Sequence, residues 1–217
     1  MRSASAAEDS TARARIRDAA VLRFSREGFR ASLRTIAQEA GVSAALVVHH
    51  FGSKDGLREA CDEHVLAVIR EQKRDAVGPT GPTQLLARMA ELDEWAPLVG
   101  YALRSMQAGG DLARAFLDHF AADAEEYLRE GVAAGTILAS RDEVARARYL
   151  TVMGYGAFLL DIALHPPEDP ADLRAYLHGY LERTGLPAME LFTQGLFTDR
   201  SMLDAYLMYV TDPPAEG

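Results

Sequence analysis

Apolar residues recur along this chain at helical spacing. Ile16, Ala20 and Phe24 stand four apart, and Ile36, Ala37 and Ala40 make a shorter stripe. Two-residue alternation is absent, β-branched residues are sparse, and Ala and Leu dominate, so the pattern predicts an all-α protein. Small and polar residues punctuate it. A first helix is expected over 11–27, capped by Ser10 or Thr11 and closed by Gly28. Ser32 opens a short helix from Leu33 to Ala40, and Gly41-Val42 makes a turn. Ser43 opens another short helix from Ala44 to His50, Gly52 breaks it, and Ser53 caps a long helix reaching Arg74. Gly78-Pro79-Thr80-Gly81-Pro82 reads as a loop. Beyond it, helices are expected over 83–92, 95–108, 112–131, 141–165, 170–184, 187–197 and 200–210. The implied organisation is a tail (1–10), a small helical head (11–56), a larger helical body (57–211) and a second tail (212–217).

The two short helices flanking Gly41 form the most informative pattern. Ile36, Ala37 and Ala40 face inward, Val42 fills the angle, and Ser43 restarts the chain as helix by accepting a bond from a free backbone N–H. Such a helix-turn-helix leaves its second helix free to enter a DNA major groove.

Charge sharpens this picture. Over the whole chain the net charge is −9, which argues against a polyanionic partner, yet from Ser10 to Lys54 eight basic residues face three acidic ones. A basic head on an acidic body suits a protein that sets one end on DNA. The single cysteine, Cys61, excludes an intrachain disulfide and a multi-cysteine metal site. Residues 1–10 lack the apolar core of a signal peptide. The uncharged apolar run from Tyr149 stops at Asp161, short of the roughly 18 residues a spanning helix needs. A soluble cytoplasmic protein with no membrane partner is the expectation.

From Arg15 to Leu57 the chain resembles the N-terminal domain of the tetracycline-repressor family of regulators. The resemblance rests on Ala19-Ala20, Phe24 and Glu27-Gly28-Phe29. It continues through Leu33-Arg34-Thr35-Ile36-Ala37, Ala40-Gly41-Val42-Ser43 and Leu46, and ends in His49-His50-Phe51-Gly52-Ser53-Lys54. It implies an N-terminal three-helix DNA-binding domain followed by a larger helical ligand-binding and dimerisation domain. Double-stranded operator DNA, a second copy of the chain and a small-molecule effector are the implied partners. By this resemblance Ser32, Arg34 and Thr35 reach phosphates or a base edge. Arg34 has the fork that fits guanine; the alternative is a solvated arginine. Ser43, Ala44, Ala45 and Val48 present the recognition surface, where methyl groups can meet a thymine methyl. His49, His50 and Lys54 are candidates for phosphate contact, although His49 can equally pack against its own domain. The family usually has Tyr where this chain has Val48. One phosphate-binding hydroxyl is thereby lost, and specificity is expected to lean on shape, apolar contact and Arg34.

The body is less diagnostic. The helix expected over 141–165 carries one stripe of Val144, Thr151, Tyr155, Phe158 and Ile162 and a second of Leu150, Met153, Ala157 and Leu164. Val144, Thr151, Tyr155 and Ile162 are the dimer-interface candidates; a central core helix within one subunit is the alternative. Trp95, Tyr101, Met106, Phe116, Phe120, Met153 and Phe158 are candidates to line an effector cavity. Asp161, a lone charge in an apolar stretch, is open to three readings: a cationic ligand, an Arg across a dimer, or solvent. No metal site is expected, the adjacent histidines pointing about 100° apart on a helix. No cofactor motif and no catalytic constellation is found, which argues against an enzyme. The function implied is a repressor released from its operator by a small apolar or amphipathic ligand, with the long helix after Ser53 carrying the change; the alternative is a ligand-independent or architectural DNA-binding protein.

Overall fold

The computed structural model describes residues 2–81, 83 and 89–211. Among them every regular element is helical. α1 spans Arg2–Glu27, followed by a 3₁₀ turn at Gly28–Arg30, α2 (Leu33–Glu39), α3 (Ala44–Phe51) and α4 (Lys54–Val77). The body follows with α5 (Leu92–Gln107), α6 (Gly110–Ala133), α7 (Glu143–Leu164), α8 (Arg174–Gln194) and α9 (Ser201–Thr211). Half of the helix expected over 83–92, residues 84–88, lies outside the described residues.

Three boundaries differ from expectation for local reasons. Residues 2–10, expected as a tail, continue α1, because Ala4, Ala6, Ala7 and Glu8 favour helix and no Gly or Pro interrupts them. The helix expected from 170 starts at Arg174, because Asp172 turns back and accepts from the Arg174 backbone N–H at 3.1 Å. The break expected before Pro187 is absent: α8 runs through it, at the cost of one ladder bond.

The chain divides into two compact units, Met1–Leu177 and His178–Gly217. In the first, one core runs from head into body. Ile16, Ala20 and Phe24 of α1, Ile36 of α2, Val47 of α3, Leu57, Cys61 and Val65 of α4 and Tyr101 of α5 are all closed to solvent. α1 packs most extensively on α5, and α6 on α7. The long helix α4 is therefore not the only link between head and body. At the α1–α5 seam a Cβ on Gly100 would lie 3.0 Å from the Ser25 Cβ, so the backbones approach closely there. Arg104 donates from Nε to the Ser25 carbonyl (3.3 Å) and from Nη2 to the Arg26 carbonyl (3.4 Å), meeting the negative end of α1.

Aromatic rings continue the seam. Phe24 and Phe29 lie 5.4 Å apart, and Tyr101 sits 6.2 and 5.5 Å from them. Phe116 follows at 6.5 Å, Phe120 at 4.9 Å and Tyr155 of α7 at 4.5 Å. The guanidinium of Arg58 stands 3.7 Å above Phe29. The Tyr101 hydroxyl donates to Asp62 Oδ1 at 2.6 Å, tying α5 to α4. Burial, with the Asp62 charge added, pushes the Tyr101 phenol far above its usual range; burial also lifts the Asp62 carboxyl, which the Tyr101 bond and Arg58 oppose.

Tyr101→Phe keeps the ring series but leaves the half-buried Asp62 carboxylate without that donor. A loss of about 1–3 kcal/mol in urea denaturation is expected. The hydroxyl holds the Asp62 pKa down, so the loss grows from mildly acidic to neutral pH as the carboxylate ionises. An unchanged midpoint at neutral pH contradicts this role.

Candidate nucleic-acid interface

Three serines build the interface by capping. Ser32 Oγ accepts from the Thr35 backbone N–H (3.1 Å) and starts α2; Ser43 Oγ accepts from Leu46 N–H (3.2 Å) and starts α3; Ser53 Oγ accepts from Gly56 N–H (3.0 Å) and starts α4. Between α2 and α3 the chain reverses at Gly41 with φ +66°, and the Val42 N–H reaches back to the Ala37 carbonyl at 2.9 Å. That six-to-one bond with a left-handed glycine closes α2 and aims the chain into α3. Gly52, at φ +72°, ends α3 in the same left-handed region.

α3 is seated by two side chains. Val47 is wholly buried and Phe51 nearly so, and four residues apart they share one face. The opposite face is open: Ser43, Ala44, Ala45, Val48 and His49 are exposed, Val48 at 46 %. His50 is half-buried, its ring 5.4 Å from His49 and 6.2 Å from Phe51. Ser32 and Arg34 are exposed at the start of α2, and Thr35 is half-buried with its hydroxyl in hydrogen-bond contact with Ser32 Oγ. Lys54 is half-buried in the first turn of α4. The structure thus brings all ten DNA candidates onto α2, α3 and the start of α4, with caps and apolar anchors behind them. Among the described residues, no carboxylate pairs with Arg34 or Lys54.

The body candidates are dispersed. Tyr101, Phe116 and Phe120 are closed in the core, Met106 packs partly against it, and Trp95 and Met153 are half-buried. Phe158 meets Tyr176 at 5.6 Å. Asp161 accepts from the Tyr176 hydroxyl at 3.0 Å and lies 3.4 Å from His165 Nδ1, so partners in its own chain hold it. The stripe assigned to a dimer on α7 largely faces inward instead. Thr151 is buried and donates to the Ala147 carbonyl, Tyr155 stacks on Phe120, Ile162 is half-buried and Val144 alone is exposed. Tyr149, Val152, Leu160 and Leu164 form the outward stripe, Tyr149 at 68 % and Leu160 at 62 % exposed. Both stripes are apolar, so periodicity could not rank them. A polar cleft of about 190 Å³ opens between α1, α5 and residues 171–174, edged by Ser25, Arg26, Asp93 and Asp172. Nothing in the sequence pattern marks it, since its walls come from three distant segments.

The comparisons agree with this geometry. Residues 16–61 match the model described as bacterial regulatory proteins, tetR family, and residues 93–198 match that of the tetracyclin repressor-like C-terminal domain. The chain is 53% identical over 199 residues to the HTH-type transcriptional regulatory protein RaaS of Mycobacterium tuberculosis, covering 92% of this chain and 93% of that protein. A stretch of 55 residues is 44% identical to the HTH-type transcriptional regulator BetI of Paraburkholderia xenovorans, covering 25% of this chain and 28% of that one.

Ser43→Ala removes the cap of α3 and is expected to cost about 0.5–2 kcal/mol in urea denaturation. Ser43→Asp restores the cap and most of that stability, yet weakens DNA binding by placing a carboxylate on the open face. Equal stability of all three proteins contradicts the capping role.

Proposed function

Because the chain belongs to the tetracycline-repressor family of bacterial transcriptional regulators, we propose that it is a repressor that holds its operator as a homodimer and leaves it when a small apolar or amphipathic effector binds. The observation that carries DNA recognition is the exposed face of α3, pinned from behind by Val47 and Phe51. That face offers methyl groups rather than bidentate donors. Base reading then falls to Arg34 and to apolar contact with thymine, while Ser32, Thr35, His49, His50 and Lys54 set the register on phosphates.

Two recognition helices must reach successive major grooves about 34–36 Å apart, which requires a two-fold pair. The outward stripe of α7 supports that pairing. Gly154 and Gly156 lie on open backbone there, leaving room for close approach. Within the second unit, Leu186, Phe192, Leu196, Phe197, Met202 and Tyr206 are also exposed, more apolar surface than a lone soluble chain usually shows. By length and composition alone α7 is apolar enough to cross a bilayer, with mean hydropathy 1.2. A second copy is the better cover. Arg146 and Arg148 punctuate the helix, and its inner stripe is already spent on α6. This reading puts the protein in the cytoplasm with its DNA.

For release, the ring series from Phe29 to Tyr155 supplies a physical route. An effector inserted among α5, α6 and α7 has to part Tyr101, Phe116 and Phe120. Tyr101 also touches the head through Phe24 and Phe29, and the helix that leaves the head through Asp62. The ligand shifts the dimer only as far as it binds the parted form better. A head held on both α1 and α4 turns as a block.

Fragments selected from genomic DNA and titrated by fluorescence anisotropy are expected to bind about 10³-fold or more tighter than random duplex at the same salt. Equal affinity contradicts a regulator and favours an architectural protein. A ligand that binds tightly without lowering operator affinity contradicts release. Leu160→Glu is expected to give monomers in sedimentation and to lose operator affinity; an intact dimer places the interface elsewhere.

A further inference from the structure

The repeating apolar pattern of α1 explains why Ile16, Ala20 and Phe24 are buried, but leaves its basic residues to be accounted for. Arg17 pairs with Asp18 at 2.7 Å, and Arg23 with Glu27 at 2.7 Å and with Glu39. Arg13 differs. It is exposed, and among the described residues it makes no hydrogen bond and no ion pair. Its one specific contact is a ring: the guanidinium carbon lies 4.8 Å from the centre of Phe51. Arg15, two residues on and so about 200° round the helix, belongs to the opposite face.

Phe51 is the last residue of α3 and precedes, through Gly52, the Ser53 cap of α4. Arg13 therefore delivers its charge to the joint between the recognition helix and α4, where Lys54 and the positive end of α4 already lie. Asp55 is the acidic residue in the first turn of α4, and it does not pair with Arg13. A cation over a ring face spends its π contact and none of its N–H donors. The ring restricts the side chain, so its planar fork is held ready for an oxyanion.

We propose that Arg13 is a further DNA-contact residue, holding a backbone phosphate at the C-terminal end of α3 beside Lys54. This rests on α3 being the recognition helix. It extends the contact surface onto α1, outside the helix-turn-helix.

A phosphate contact leaves a mark that packing does not. Each phosphate neutralised contributes about 0.9 to the slope of log K against log salt. The full-length protein and its Arg13→Gln and Arg13→Lys variants are titrated across salt with a random-sequence duplex and with the fragment recovered by genomic selection. Arg13→Gln is expected to weaken binding to both duplexes alike and to flatten the slope by about 0.9 for each Arg13 engaged. Arg13→Lys keeps the slope. A slope unchanged in Arg13→Gln, with or without loss of affinity, overturns the proposal and reduces Arg13 to a cover for Phe51. Failure of the unsubstituted protein to bind either duplex overturns it together with the DNA-binding reading beneath it.

Discussion

The burial of Val47 and Phe51 is the constraint on which the rest of the structure depends. α3 has eight residues, too few to hold a helix alone in water, where isolated helices shorter than about 12–15 residues are marginal. It persists because Ser43 caps its start, Gly52 closes its end and two side chains anchor one face in the shared core. Anchoring one face commits the other. Ala44, Ala45, Val48 and His49 are exposed because the helix has no freedom to roll. The serines at 32, 43 and 53 perform the same task at three successive turns, so a head of about 45 residues is specified largely by caps and a few apolar anchors.

The relative strength of the contacts decides how the head is held on the body. α4 meets α6 through Arg70–Asp123 (3.3 Å), Arg74–Glu126 (3.3 Å) and Arg74–Glu130 (2.7 Å). Both arginines and both glutamates of these pairs keep nearly half of their side-chain surface in water, and ion pairs open to solvent are worth about 0.2–1 kcal/mol each. In the aromatic seam Phe24 and Tyr101 are closed to solvent and Phe29 is half-buried against them, and each ring there buries far more apolar area than an ion pair does. The seam therefore sets the angle of the head, and the ion pairs trim it. A signal from the body has to work against ring packing, which shifts between discrete arrangements more readily than it bends.

The head was legible in the sequence because its determinants are local. Each cap sits one residue before its helix, and Gly41 and Gly52 stand where the chain must turn; the Val47 anchor went unmarked, although its four-residue spacing from Phe51 was there to find it. In the body the decisive facts are not local. α7 is apolar on two faces, and only the packing of Ala147 and Tyr155 on α6 tells inner from outer. The partners of Asp161 are Tyr176 on another helix and His165 at the end of its own. The α1–α5 seam and the seat of Arg13 on Phe51 join segments far apart in the chain. Proline rules alone divided α8 at Pro187, where the helix in fact continues.

Amide hydrogen exchange, followed by mass spectrometry with and without a selected genomic fragment, tests the central claim most directly. The account predicts slowed exchange and solvent exclusion centred on the start of α2 and on residues 43–54, reaching α1 only around Arg13, and stronger with the selected fragment than with random duplex. Protection that falls instead on the outward face of α7 or on α9, with α3 unchanged, would contradict it.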